Sequence, residues 1–269
     1  MKITRFFTSL FAKKHKRLGL ALGSGGAKGF ALIGALKAFD EAGIKFDVVA
    51  GTSIGSIVGA MYACGFSSRE MTNLIAESGV TDITAAKLIM MKLRGESLES
   101  FIDGFLCGRE FNDTSIPFAA VATNINSGER VVMKNGSLSS ALAASSAVPP
   151  FRAVERNGVK LVDGAFVDAV PADVVKELGA DMIVAVSLTA SPSNEGIKSA
   201  LDAMYKGNKV AAGDRLTEGL KFADFVIRPD LAGFSSTSLA GAEEMAERGY
   251  EAALAAIPDI KREMKRRKM

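Results

Sequence analysis

The sequence predicts an α/β fold built on a mostly parallel central sheet. Three observations carry that prediction. Apolar runs of strand length alternate with segments of helical period along most of the 269 residues. Glycine is abundant at 27 residues and proline sparse at 7, which suits tight strand-to-helix turns better than disordered linkers. Residues 18–64 read strand, glycine loop, helix, strand, turn, helix, the opening of a parallel sheet.

Taken in order, residues 18–22 are an apolar strand that ends in Gly23-Ser24-Gly25-Gly26. Residues 30–42 follow as a helix, apolar at Phe30, Ile33, Leu36 and Phe39 and closed by Gly43. A buried-type strand at 46–50 runs into Gly51-Thr52-Ser53-Ile54-Gly55 and an apolar helix at 57–64. Residues 67–107 read as mostly helical, with Ser67-Ser68-Arg69-Glu70 as a helix start. Their Met90-Met91, Phe101 and Phe105 fit a lid or acyl-pocket wall, and equally ordinary core packing. Strands at 116–123 and 129–133 flank a turn at Asn126-Ser127-Gly128. A small-residue helix at 138–147 is stopped by Pro149-Pro150, and a short strand at 159–162 ends in Asp163-Gly164-Ala165. A helix at 171–178 with Pro171 in its first turn, a strand at 182–188, a helix at 198–221, a strand at 224–227 and a helix at 239–256 complete the series. Only residues 190–197 look like a linker, and no repeat appears.

Charge divides the chain into three. Residues 1–17 carry six Lys/Arg and no acid; residues 259–269 carry six Lys/Arg against Asp259 and Glu263. The ends therefore hold +10 of a net +3, leaving −7 on residues 18–258. This predicts one acidic domain, 18–258, between a basic N-terminal arm, 1–17, and a basic C-terminal tail, 259–269. Such a body argues against nucleic acid as a partner. Basic ends suit contact with an anionic membrane surface. In the arm, Ile3, Phe6, Phe7, Leu10 and Phe11 share one helical face. Two readings stay open, a helix lying on a membrane and a helix packed on the domain or on a partner copy. The arm is too short and too charged to span a bilayer and lacks a signal-peptide cleavage site. Cys64 and Cys107 form no visible framework, so the expected setting is cytoplasmic, with peripheral contact at the inner membrane surface as an option.

His15 is the only histidine, and it lies in the basic run Lys13-Lys14-His15-Lys16-Arg17. A Ser-His-Asp triad and multi-histidine zinc sites are therefore excluded. No carboxylate cluster has metal-ligand spacing, so neither a metal nor any other cofactor is expected.

The chemistry concentrates in three motifs. Gly51-Thr52-Ser53-Ile54-Gly55, between a strand and a helix, has the form of a nucleophile elbow, in which a serine hydroxyl is lifted clear of the sheet at a helix N-terminus. Gly23-Ser24-Gly25-Gly26-Ala27-Lys28-Gly29 fits neither the Walker A nor the dinucleotide pattern. Its consecutive backbone N–H groups suit an oxyanion hole instead, from Gly25 and Gly26 with Lys28 nearby. Without a usable imidazole a carboxylate must serve as base. Asp163 is best placed, at a strand end expected to open on the same sheet edge as the elbow. Asp168 and Asp173 compete, although both read more like helix-start carboxylates.

These motifs in this order, with Ala144-Ser145-Ser146-Ala147-Val148-Pro149-Pro150-Phe151 ahead of Asp163, resemble the patatin-like phospholipase family, strongly over residues 18–190. The resemblance implies a three-layer α/β/α fold, a Ser-Asp dyad and hydrolysis of lipid acyl esters, phospholipid or lysophospholipid. It makes Ser53 the nucleophile and Asp163 the base. Gly25, Gly26 and the N–H of Ile54 become the oxyanion hole, and Lys28 a support for oxyanion or phosphate. Gly23, Gly29, Gly51, Gly55 and Gly164 are the motif glycines. Two departures stand out: Ser24 where the family loop opens with glycine, and Leu32 where many bacterial members carry a histidine. Rival readings on the same fold are a non-hydrolytic regulatory or scaffold protein, and an acyltransferase or thioesterase using the same dyad.

Overall fold

The computed structural model describes residues 15–77, 97–148, 152–188, 207 and 213–269. Its first half runs β1 (Leu18–Leu22), α1 (Phe30–Glu41), β2 (Val48–Thr52), α2 (Ile54–Ala63), α3 (Ser68–Glu77), α4 (Leu98–Leu106), β3 (Phe118–Asn124), β4 (Arg130–Met133) and α5 (Leu138–Ser145). The second half runs β5 (Val154–Arg156), β6 (Val159–Asp163), α6 (Ala172–Glu177), β7 (Met182–Val186), β8 (Phe225–Ile227) and α7 (Ala242–Arg267). Short 3-10 turns at Gly26–Gly29 and Gly164–Phe166 follow β1 and β6.

All eight strands form one sheet. Strands β3, β2, β1, β7 and β8 lie side by side in parallel; β4 and β6 pair antiparallel with β3, and β5 antiparallel with β6. The parallel strands are apolar on both sides because helices cover both faces. Leu18, Leu20 and Leu22 of β1, with Met182, Val184 and Val186 of β7, join a core that also holds residues of α1, α2, α5 and α7. The alternate residues, Ala21, Val48, Ala50, Ile183 and Ala185, pack with Ala172, Val174 and Val175 of α6 on the other face. The three-layer α/β/α arrangement expected from the sequence is thus present, produced by the two-residue side-chain period of the strands.

Helices α1 and α7 are closely apposed. A Cβ at Gly34 would lie 1.8 Å from the Ala246 carbonyl oxygen, and one at Gly249 would lie 1.9 Å from that of Ala31. Each helix contributes one glycine so that the two backbones can touch.

Two features differ from the expectation. Residues 154–156 form a strand that the sequence pattern does not predict, joined to β6 by a two-residue turn at Asn157-Gly158, both with positive φ. The boundary at 258/259 falls inside a helix, because α7 continues through Pro258 to Arg267. Met245, Gly249, Ala253, Ile257 and Ile260 make an unbroken buried stripe across the proline, while Pro258 itself faces outward. An interior proline costs about 3 kcal/mol, and burial of Ile257 and Ile260 on its two sides offsets that loss.

Residues 259–267 are therefore tied to the domain rather than trailing outside it. Arg267 pairs with Asp224 and Glu263 and donates to the Asp181 carbonyl. Lys16 donates to the Arg267 carbonyl, and Arg17 to the Leu178 carbonyl. His15 lies 3.7 Å from Asp47. The two basic ends thus meet where β1 and β7 begin. Residues 1–14, with the amphipathic face of the arm, lie outside the described residues, as do Met90 and Met91. Phe101 and Phe105 meet edge to face at 5.0 Å, and Phe101 packs on the core, in keeping with the core-packing reading of that segment. Among the described residues no helix is long and apolar enough to cross a membrane.

Candidate active site

Strand pairing places the first two motifs side by side. Leu22, the last residue of β1, pairs with Gly51 of β2, so the glycine loop and the elbow leave the sheet at one edge. A Cβ on Gly55 would lie 2.2 Å from the Leu22 carbonyl oxygen, and one on Gly51 would lie 2.2 Å from the Gly55 carbonyl oxygen. Only glycine permits a turn this tight. Gly29 likewise has no room for a side chain, since a Cβ there would meet Ile54 at 2.2 Å.

Ser53 sits at the turn with φ 55° and ψ −127°, a conformation rarely adopted by non-glycine residues. Such strain, of order 1–3 kcal/mol, persists only where surrounding contacts over-determine it. Those contacts are present. The Ser53 N–H donates to Ser145 Oγ at 2.9 Å, and Ser145 Oγ donates to the Val121 carbonyl at 2.5 Å. The Ser53 carbonyl accepts from Ser56 Oγ at 2.6 Å and from the Ser56 N–H at 2.8 Å. Ser53 is 5% exposed, at the N-cap of α2, where the helix dipole favours negative charge.

Asp163 reaches the elbow by a route unlike the expected one. Along β3, Ala120 and Val121 pair with both β2 and β4, whereas Ala122 and Thr123 pair with both β4 and β6. With β4 on one edge, β2 and β6 must share the other. Thr52 pairs with Val121 and Asp163 with the next residue, Ala122. The two strands therefore meet C-terminus to C-terminus. The sequence expectation put Asp163 at a parallel strand end; β6 is antiparallel and arrives from the opposite direction.

Ser53 Oγ donates to Asp163 Oδ2 at 2.6 Å, a short charge-assisted bond, and Asp163 is fully buried. Its Oδ1 accepts from the Ala165 N–H at 2.8 Å. Its backbone is held by Ala147 and by the Thr123 hydroxyl. At Gly164 a Cβ would meet the Val121 carbonyl oxygen at 2.2 Å. His15 lies at the start of β1, at the opposite end of the strand from this site, in line with its exclusion from the chemistry.

The glycine loop is anchored at both ends. The Gly23 N–H donates to the Val186 carbonyl, the Ser24 N–H to that of Ala169 and the Ala27 N–H to that of Ser236. Gly26 has φ 57°, and a Cβ there would meet the Ser236 carbonyl oxygen at 2.3 Å. Ser24, the departure from the family pattern, is buried and supplies its N–H to the anchor. Among the described residues the N–H groups of Gly25, Gly26 and Ile54 donate to no protein acceptor. Lys28 is half-buried beside them in the chain.

Asp168 and Asp173 are not at the elbow. Arg130 Nη1 bonds Asp168 Oδ2 at 2.8 Å and Asp173 Oδ2 at 2.5 Å. Asp173 lies in the first turn of α6, as expected of a helix-start carboxylate; Asp168 instead is buried in this ion cluster. Sequence reasoning missed the parts played by Ser145, Thr123 and Ser236. Ser145 falls in the segment singled out ahead of Asp163; nothing local marked the other two.

A family model for patatin-like phospholipase matches residues 20–176. Patatin-like phospholipase domain-containing protein 6 of Mus musculus is 30% identical over 235 residues, 81% of this chain and 16% of that protein. An NTE family protein of Mycobacterium tuberculosis is 34% identical over 187 residues, 65% of this chain and 50% of that protein. The chain thus spans half or less of these relatives' lengths. The crystal structure of VipD from Legionella pneumophila superposes with a TM-score of 0.57 at 14% identity, covering 91% of this chain and 67% of that one, a likeness of fold. With the family model extending over more than half of its length and a relative 30% identical across four-fifths of it, this chain belongs to the patatin-like phospholipase family.

Proposed function

We propose that this protein hydrolyses acyl esters of lipids, phospholipids or lysophospholipids, with Ser53 as nucleophile and Asp163 as base. The observation that carries the reading is the 2.6 Å bond from Ser53 Oγ to Asp163 Oδ2 at a strained strand-to-helix turn. Asp163 Oδ2 takes the hydroxyl proton as Oγ attacks the ester carbonyl. The N–H groups of Gly25, Gly26 and Ile54 receive the developing oxyanion, and Lys28 adds positive charge near it. The intermediate collapses to an acyl-serine, and Asp163 returns the proton to the departing alcohol. Water, deprotonated by the same carboxylate, then releases the fatty acid and restores Ser53. The names of the relatives, phospholipase and esterase, support a lipid ester as the substrate class.

The basic ends supply a second contact, an anionic membrane surface. Lys16, Lys261, Lys265 and Lys268 are exposed where the termini meet. Replacing the last three by Glu should lower binding to anionic vesicles and leave cleavage of a short-chain soluble ester unchanged. Unchanged vesicle binding would remove that contact from the proposal.

The central test pairs the wild type with Ser53→Ala on a panel of lipid esters and a fluorophosphonate probe. The wild type should hydrolyse lipid and take the label, and the variant should do neither. Hydrolysis at the wild-type rate by Ser53→Ala would sink the assignment.

A further inference from the structure

The segment 163–170 joins the two halves of the site. At its start Asp163 meets Ser53, and the Ala165 N–H holds the other carboxylate oxygen. Near its end the Ala169 carbonyl accepts the Ser24 N–H, which anchors the glycine loop. Between them the Asp168 N–H closes back on the Gly164 carbonyl at 2.9 Å. Later on this turn the Asp168 side chain is tied to Arg130, which projects from β4, on the far edge of β3 from Asp163.

That tie is an unusual one. The Asp168 side chain is 6% exposed, and its Oδ1 is buried without a hydrogen-bond partner. A buried carboxylate so placed costs stability. It is faced by Arg130 from β4 and by Asp173 from α6; Glu177 of α6 stands 3.9 Å from the same guanidinium. Burial and the Asp173 charge push Asp168 up to about 6, against the pull of Arg130.

We propose that the Arg130–Asp168 pair is a positioning device that sets the dyad carboxylate and the oxyanion loop against each other. The inference rests on the reading of Ser53 and Asp163 as the dyad. A pair costly to stability fixes a turn that touches both catalytic parts. When the pair is broken, the Asp163 carboxylate and the Ser24 anchor shift together, so turnover falls with little change in substrate affinity.

The experiment compares wild type, Arg130→Gln, Arg130→Lys and the Arg130→Gln/Asp168→Asn double variant. Three quantities are followed: the rate of labelling by a fluorophosphonate probe across pH, kcat and KM on a soluble ester, and amide exchange over residues 20–29 and 163–170. Wild-type labelling should fall on acidification through about pH 6, where Asp168 takes up a proton. Arg130→Gln should lose about tenfold or more in kcat and labelling, with KM nearly unchanged and the acid limb moved to higher pH. The double variant should recover part of the rate and lose the limb, because a neutral pair replaces a stranded charge. Arg130→Lys, which keeps the charge but not the fork, should fall between and keeps the test open if the glutamine variant folds poorly. Equal rates, equal pH profiles and unchanged exchange in every variant would overturn the proposal. If the wild type takes no label while exchange quickens over both segments in Arg130→Gln, the coupling stands and the nucleophile assignment fails.

Discussion

Ser145 Oγ accepts the Ser53 N–H at 2.9 Å while donating to the Val121 carbonyl at 2.5 Å, so one hydroxyl ties α5, the elbow and β3 together. It satisfies a buried donor at the most strained residue of the site. Ser145→Ala should cost about 1–3 kcal/mol, the penalty for a stranded buried N–H. It should also lower kcat, because Ser53 loses one of the contacts that fix its φ. Urea unfolding and ester kinetics on the same preparation check both parts. Unchanged stability would mean that the elbow holds itself.

Asp163→Asn keeps the size and the hydrogen bond to the Ala165 N–H but removes the proposed base. Hydrolysis should drop by about 10²–10⁴-fold with the melting temperature little changed. Measured activity within a few-fold of wild type would shift the search for a base elsewhere.

At the α1–α7 crossing, Gly34→Ala places a methyl where the Ala246 carbonyl oxygen lies 1.8 Å away. The helices must separate, at a cost of about 1–3 kcal/mol. Thermal unfolding reads this directly, and Gly43→Ala, at a position of positive φ with open space around it, separates backbone strain from the packing clash.

Ile260 tests whether α7 ends at the proline or passes through it. The side chain is fully buried beyond Pro258. Ile260→Ala should cost about 2–5 kcal/mol, as for other large-to-small core changes. A change within a few tenths of a kcal/mol in chemical denaturation would return residues 259–269 to the status of a tail.

Asp168 gives a pH signature in stability as well as in rate. Its folded pKa of about 6 lies above the ordinary 3.8, so between those values the native state binds more protons than the unfolded chain. Its stabilising contribution is therefore full below the ordinary carboxylate value and lost as pH rises through 6. The stability of wild type relative to Asp168→Asn should fall by about 2–3 kcal/mol from acid to neutral pH. A difference independent of pH across that window, measured by urea unfolding, would contradict it.

Much of the fold was legible because strand and helix periods differ and glycine marks the turns between them. β1, α1, the elbow and β7 lie within a few residues of where periodicity and the glycine turns put them. Where reading failed, a local signal was outweighed by something distant. Residues 239–256 read as the final helix, yet the buried stripe from Met245 to Ile260 carries α7 past Pro258 to Arg267. The strand β5 is three residues long with Val154 its one apolar residue, and it exists because β6 lies beside it.

By itself the sequence determined the chemical inventory: one histidine, outside the core motifs; a serine between two glycines at a strand-to-helix turn; a glycine loop; and an aspartate ahead of Gly-Ala. These are local facts of residue type and spacing, and they determine which reactions the chain can attempt. The tertiary structure decided which carboxylate meets the serine and from which side. Ser53 and Asp163 are 110 positions apart, and nothing in either motif specifies that β2 and β6 end against each other on one edge of β3. That meeting is set by backbone hydrogen-bond register, which is a relation between strands and cannot be read from any one of them. The same holds for Arg130, an ordinary strand residue in the sequence, which finds Asp168 only because β4 lies along the other edge.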